Sequence, residues 1–218
     1  MTVQRVVLAT GNAGKLREFA ALLAPAGFVF EPQSAFGIEP PEETGDTFLA
    51  NALLKARHAA RVSGLPAMAD DSGLEVDALG GAPGVRSARY AEDALAAADA
   101  AAALPRDEAN WRKLLGALAG VPAAARRARF RCCIVLVRDA DDPSPVVGEG
   151  AWEGRILDAP RGDGGFGYDP VFAPIDAAFG GRSVAELDAA AKNLHSHRAA
   201  ALRALLAAWQ ARGASRAP

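Results

Sequence analysis

The chain has 218 residues, 50% of them apolar, so it can bury a substantial core and is most economically one domain, 1–218, with two lobes allowed. A formal net charge of −2 supplies no global field for a nucleic-acid backbone, so no nucleic-acid partner is expected and any phosphate site must be local. Cys132 and Cys133 are sequence neighbours, which rarely pair, so free buried thiols in a reducing compartment are expected rather than a disulfide framework. No apolar run reaches the length that crosses a bilayer and no signal pattern precedes the first strand pattern, so a soluble cytoplasmic protein without a membrane partner is expected.

In chain order, residues 3–9 predict a buried strand and 14–25 a helix stopped by Pro25 and Gly27. Phe28-Val29-Phe30 resumes extended structure, and the proline- and acid-rich segment from Glu31 to Gly45 predicts a loop. Thr47 to Val62 carries apolar residues at helical spacing. Pro66-Ala67-Met68-Ala69 predicts a short strand ending at Asp70-Asp71-Ser72-Gly73, with Leu74 to Leu79 as a further strand before the turn Gly80-Gly81-Ala82-Pro83-Gly84. Helical sequence runs from Ala94 to Ala119 with a break near Pro105. Arg127 to Arg138 reads as a central strand, and Val146 to Ile156 as its hairpin partner across Asp141-Asp142-Pro143-Ser144. Gly162 to Gly167 predicts a loop, Ser183 to Arg212 a terminal helical region, and Gly213 to Pro218 a frayed tail. Strands interleaved with helices, plus a hairpin, predict an α/β fold with a mixed central sheet and flanking helices.

Thr10-Gly11-Asn12-Ala13-Gly14-Lys15 joins the first strand to the first helix. Backbone N–H groups at the positive end of a helix, beside a lysine, make a cradle for an anion, with phosphate the obvious candidate. It is not a Walker loop, which needs Gly where Ala9 stands and Ser or Thr where Leu16 stands, so no hydroxyl here can hold magnesium.

Asp70-Asp71 closes the predicted strand at a sheet edge, and adjacent strand residues point oppositely, so one acid can face a pocket while the other braces the turn. Magnesium takes one or two carboxylates plus water and phosphate oxygens, so Asp71 and a loop glutamate would suffice. The plainer reading is that both acids cap a turn with Ser72. Glu42-Glu43-Thr44-Gly45 precedes the second helix, which Thr44 or Asp46 could simply cap. Lys55, alone on that helix, would ordinarily be solvated; only company makes it a ligand. Phe166-Gly167-Tyr168-Asp169-Pro170 places two aromatics among glycines, where a planar ring can stack on them or they can fill the core. Lys192 with Ser196-His197-Arg198 forms a basic turn before the last helix.

Taken in order, these motifs make the chain similar to the Ham1-like inosine triphosphate pyrophosphatases along nearly its whole length. Leu8-Ala9-Thr10-Gly11-Asn12 with Lys15 and Glu18 resembles the family's opening motif. Glu43-Thr44-Gly45 through Thr47-Phe48 and Asn51-Ala52 to Lys55-Ala56 resembles its second. Ala69-Asp70-Asp71-Ser72-Gly73-Leu74, leading into Gly80 to Val85 and Ser87-Ala88-Arg89-Tyr90, is followed by Phe166 to Pro170 and by Lys192 to Arg198. The resemblance implies an elongated two-lobed α/β protein with a nucleotide cleft between the lobes, and a homodimer. It implies Mg2+-dependent hydrolysis of ITP, dITP and XTP between the α and β phosphates, to monophosphate and pyrophosphate, so that deaminated purines stay out of DNA and RNA.

By the same resemblance Asp71 is the catalytic acid residue, either taking a proton from water or holding the metal. Glu42 is then the second metal ligand, with Glu43 as its substitute. Thr10, Gly11, Asn12, Ala13, Gly14 and Lys15 would grip the phosphates with help from Lys55, and Ser72 would touch substrate. Phe166, Gly167, Tyr168, Asp169, Lys192, His197 and Arg198 would enclose the base, Arg198 offering only donors to a 6-oxo purine. The related Maf-like pyrophosphatases are a second reading, which the Ser196-His197-Arg198 ending argues against. A non-catalytic nucleotide sensor is a third, but a pure binder has no need of Asp71 with Glu42 and Glu43.

Overall fold

A computed structural model describes residues 4–12, 14–16, 18–19, 28–93 and 104–214. Six strands, β1 (Gln4–Leu8), β2 (Phe28–Pro32), β3 (Ala67–Val76), β4 (Arg127–Val137), β5 (Val146–Ile156) and β6 (Phe172–Pro174), form one sheet in the order β2-β1-β3-β4-β5-β6. Parallel pairing of β1 with β2 and β3, and antiparallel pairing of β5 with β6, make it the mixed sheet expected of the α/β class. The longer helices are α1 (Phe48–Ser63), α2 (Arg106–Ala117), α3 (Ala189–His195) and α4 (His197–Ala214). The chain divides into two compact units, one of Met1–Asp71, Cys132–Ala151 and His195–Pro218, the other of Ser72–Arg131 and Trp152–Leu194.

Period-two alternation builds the first unit. Val6, Leu8, Met68, Cys132, Ile134 and Leu136 look to one side, where Ala201, Leu202 and Leu205 of α4 cover them. Val7, Ala67, Ala69, Cys133, Val135 and Val137 look to the other, against Ala52, Ala56, Ala59 and Ala60 of α1. Cys132 and Cys133 therefore sit buried in different layers, as alternation along a strand requires. Helix α4 lies directly on β5: a Cβ on Gly148 or Gly150 would collide with the backbone of Ala201 or His197, so only glycine permits this approach. At α1, Thr47 caps the start, its Oγ1 accepting from Ala50 N at 3.1 Å, so neither Thr44 nor Asp46 has that role. Gly64, at φ 68°, ends the helix with its N–H on Ala60 O.

The second unit has its own core of Leu74, Val76, Leu114, Leu118, Phe130, Trp152, Ile156, Tyr168 and Phe172. The Phe130 and Phe172 rings sit 4.5 Å apart, centroid to centroid, and Trp152 meets Phe179 edge-on at 5.7 Å.

Other sequence expectations change too: the expected loop Glu31–Gly45 begins with the end of β2 and a 3-10 turn, Gln33–Phe36. Asp70-Asp71-Ser72-Gly73 is not a turn between two short strands; β3 runs unbroken from Ala67 to Val76, and only Asp77–Leu79 forms a 3-10 turn. Local turn chemistry yields because β3 lies between β1 and β4, where a ladder is available on both edges, and because lysines and an arginine neutralise its acids. The capping role read for Asp70 and Asp71 is thereby removed. The terminal helical region is also broken, into the 3-10 turn Val184–Glu186, α3 and α4. Of the helix expected over 14–25, residues 14–16 and 18–19 are helical, whereas the Pro25 and Gly27 stop, residues 94–103 and the end of the tail lie outside the described residues.

Candidate active site

Consecutive acids on β3 enter different layers of the first unit. Asp71 is 5% exposed and is gripped on both oxygens: Lys55 Nζ lies 3.2 Å from Oδ1, and Asn51 Nδ2 donates to Oδ2 at 3.2 Å. Lys55 Nζ is also 2.6 Å from Glu43 Oε1, so one ammonium joins two carboxylates. Burial raises the Asp71 carboxyl above the ordinary range, with Glu43 adding to the rise while Lys55, Lys15 and Asn51 pull against it. Lys55 stays firmly charged: burial opposes its charge, but Asp71, Asp70 and Glu43 outweigh that cost.

Asp70 faces the layer of α4. Lys15 Nζ lies 2.9 Å from its Oδ2 and Arg198 Nη2 3.3 Å from the same atom, while Arg198 Nη1 pairs with Glu18. Burial alone would raise the Asp70 carboxyl, but Lys15, Arg198 and Lys55 hold it well below the usual carboxylate range. Arg198 is 1% exposed, and its guanidinium also lies 5.7 Å from the Phe19 ring centre. His197, beside it, is buried at the start of α4.

The expected phosphate cradle has a defined frame. Asn12 Oδ1 accepts from Lys15 N at 3.1 Å and Thr10 Oγ1 from Asn12 N at 3.3 Å, so two side chains shape the turn that opens the helix. Gly11 belongs to this turn, Gly14 is already helical, and Ala13 lies outside the described residues. Lys15 projects from the helix start towards Asp70.

Within the second unit, Asp169 organises the glycine-rich loop. Its Oδ2 accepts from Phe166 N at 2.9 Å and lies 2.7 Å from Lys192 Nζ, which in turn sits 4.2 Å from the centre of the Phe166 ring. The two aromatics divide the roles read for them. Tyr168, 4% exposed, fills the core and donates its hydroxyl to Ser87 O at 2.8 Å, whereas Phe166 is only half-buried. Gly167 N donates to Asp107 Oδ2 at 2.7 Å. Ser72, next after Asp71, is half-buried on β3.

Several of these residues carry more than the sequence discloses. Glu43, not its exposed neighbour Glu42, reaches the lysine of Asp71, because successive residues of an extended segment point oppositely. Asn51 and Glu18 enter the sequence reading only as motif residues, and Asp70 only as one of two acids that brace or cap a turn; their contacts with Asp71 and Arg198 are not foreseen there. Asn51 had a signal: it lies one helical turn before Lys55, a polar i, i+4 pair beside the alanine stripe of α1.

The Ham1 family profile matches residues 6–208. The chain is 54% identical over 208 residues to the dITP/XTP pyrophosphatase of Thioalkalivibrio sulfidiphilus, covering 95% of this chain and 100% of that one. It is 52% identical over 206 residues to the dITP/XTP pyrophosphatase of Shigella flexneri, covering 94% and 97%. Among solved structures, a HAM1 protein from Coxiella burnetii superposes with a TM-score of 0.82 at 43% identity, over 96% of this chain and 100% of that one. A nucleoside-triphosphatase, or dITP/XTP pyrophosphatase, from Mycobacterium abscessus gives 0.70 at 38% identity, over 93% and 97%. With this match over nearly its full length, the chain belongs to the Ham1 family.

Proposed function

We propose that this protein hydrolyses dITP, ITP and XTP to the monophosphate and pyrophosphate, clearing noncanonical purines from the nucleotide pool. The observation that carries the reading is Asp71, a buried carboxylate held on one oxygen by Asn51 and on the other by a lysine shared with Glu43. Relatives more than half identical bear the name dITP/XTP pyrophosphatase. In the proposed step a water oxygen bonds to the α-phosphorus, the bond from that phosphorus to the bridging oxygen breaks, and pyrophosphate leaves with the electron pair. Asp71 receives the water's proton, a role suited to a carboxyl that burial has made more basic. Lys15 and Lys55, with the turn from Thr10 to Lys15, meet the triphosphate charge.

Magnesium fits the donor set. Glu43 and Asp71 converge on one ammonium, and magnesium needs only one or two carboxylates when phosphate oxygens and water complete its shell. No group of three or more His, Cys, Asp or Glu ligands occurs among the described residues, and this arrangement does not require one. Glu43 is proposed as the second ligand in preference to the exposed Glu42. Bound there, the metal would neutralise phosphate charge and polarise the reacting phosphoryl group.

For the base, Lys192 occupies one face of Phe166, and the proposal gives the purine the other. Lys192, beside that ring, offers donors only, which suits the 6-oxo group of a deaminated purine and mispairs with a 6-amino group. The proposal includes a cytoplasmic homodimer, as the resemblance implies; no helix among the described residues is long and apolar enough to cross a membrane. Light scattering should return twice 22.5 kDa.

The deciding experiment measures pyrophosphate and orthophosphate from dITP, XTP and dATP, with magnesium and with a chelator. One pyrophosphate per monophosphate is expected, with kcat/KM for dITP and XTP on the order of 100-fold above dATP and no turnover under chelation. Orthophosphate as the product, or equal rates on dATP, would refute the assignment.

A further inference from the structure

We infer that Asn51 is a positioning residue for Asp71: it sets the plane of the reacting carboxylate and ties it to the segment that carries Glu43. The inference rests on the reading of Asp71 as the proton-accepting carboxylate. Asn51 is 0% exposed, in the first turn of α1. Gly45 N lies 2.8 Å from Asn51 Oδ1. A backbone N–H can only donate, so the amide oxygen must face Gly45 and the amide NH2 must face Asp71, whose carboxylate can only accept. The amide orientation therefore follows from its two neighbours.

Asn51 and Lys55 stand one turn apart on α1 and emerge from the same side. Each holds a different oxygen of Asp71, Asn51 at Oδ2 and Lys55 at Oδ1, so a single helix fixes a carboxylate torsion that is otherwise broad. The other end of the amide fixes the loop. A Cβ at Gly45 would come within 2.7 Å of both Asn51 Oδ1 and Ala50 Cβ, so glycine alone lets the loop lie this close. Glu43 is two residues before that contact and shares Lys55 with Asp71. Asn51 thereby sets the spacing of the two acids as well as the orientation of one.

If Asn51 served only to hold the loop, its acceptor oxygen would suffice. Asn51→Asp keeps the shape and that acceptor while replacing the donor that faces Asp71 with an oxygen. The test is a cycle of wild type, Asn51→Asp, Asp71→Asn and the double variant, with kcat and KM for dITP read by pyrophosphate release. Melting temperature and hydrogen exchange of the Gly45 amide are followed alongside.

Asn51→Asp is expected to lower kcat by about 30-fold, within the roughly 100-fold that small misplacements of a reacting group cost. KM should stay within about 2-fold and the Gly45 amide should stay protected, because the change touches orientation and not substrate binding. On the Asp71→Asn background the same change should cost less than about 3-fold, since no reacting carboxylate remains to orient. Wild-type kcat in Asn51→Asp, or an equal loss on both backgrounds, would overturn the inference while leaving Asp71 in its role. Wild-type kcat in Asp71→Asn would overturn the role of Asp71 and this inference with it. Should Asn51→Asp not fold, Asn51→Ala takes its place in the cycle, with a comparable kcat loss expected and wild-type kcat again overturning the inference.

Discussion

Asp70 and Asp71 are consecutive on β3 and serve different cations: Lys15 lies 2.9 Å from Asp70 Oδ2, and Lys55 lies 3.2 Å from Asp71 Oδ1. Strand alternation sends the first into the layer under α4 and the second into the layer under α1. One acid anchors a buried ion network, and the other is the proposed acceptor of the water's proton.

Asp70→Asn should therefore damage stability. It leaves Lys15 and Arg198 close together without the carboxylate between them, and breaking a buried pair costs about 3–5 kcal/mol. For a chain of this size the melting temperature should fall by roughly 10 °C. Scanning calorimetry checks this, and an unchanged melting temperature would show that the network contributes little.

Lys55→Met removes the cation shared by Glu43 and Asp71. Losing one preorganised group at a reacting centre costs on the order of 100-fold in kcat. Steady-state pyrophosphate release from dITP should show that fall, and a wild-type rate would place Lys55 outside the reaction.

Phe166→Ala removes the half-buried ring over which Lys192 sits. A base stacked on an aromatic is worth about 1–3 kcal/mol, so KM for dITP should rise about 10-fold or more. Binding of dIMP by calorimetry offers a second readout, and equal affinity in the variant would exclude stacking on Phe166.

The pH dependence of stability can be read at Asp142, between β4 and β5. Hydrogen bonds from the Arg138 guanidinium, at 2.5 and 3.0 Å, hold its carboxyl below the ordinary range; burial works against them, and the N–H groups of Arg138 and Ser144 assist. A depressed carboxylate stabilises the fold above its unfolded pKa of about 3.9, and that stability drains away as pH falls through the lower folded value. Asp142→Asn should thus cost about 1 kcal/mol at pH 7, allowing for the partly exposed Arg138. Urea melts at pH 7 and at pH 3 should show the gap between wild type and variant closing at the lower pH; a gap independent of pH would contradict the linkage.

Much of this was legible in the sequence because it is local. The alternation of Cys132-Cys133-Ile134-Val135-Leu136-Val137 and the alanine spacing of α1 report burial directly, and the ordered motifs lead to the family. What escaped depends on distant partners. Asp-Asp-Ser-Gly favours a turn by itself, and only the flanking strands and the cations 15, 55 and 198 make it continuous strand. Likewise nothing near Asp169 announces that Lys192 will pair with it, and nothing near Glu43 separates it from Glu42 until Lys55 is in place.

The role of Asp71 is open to one direct measurement, the rate of pyrophosphate release from dITP by Asp71→Asn beside its melting temperature. A fall in kcat of about 1,000-fold or more, with the melting temperature within a few degrees of wild type, is the expected result. Turnover at the wild-type rate by a folded Asp71→Asn protein would contradict it.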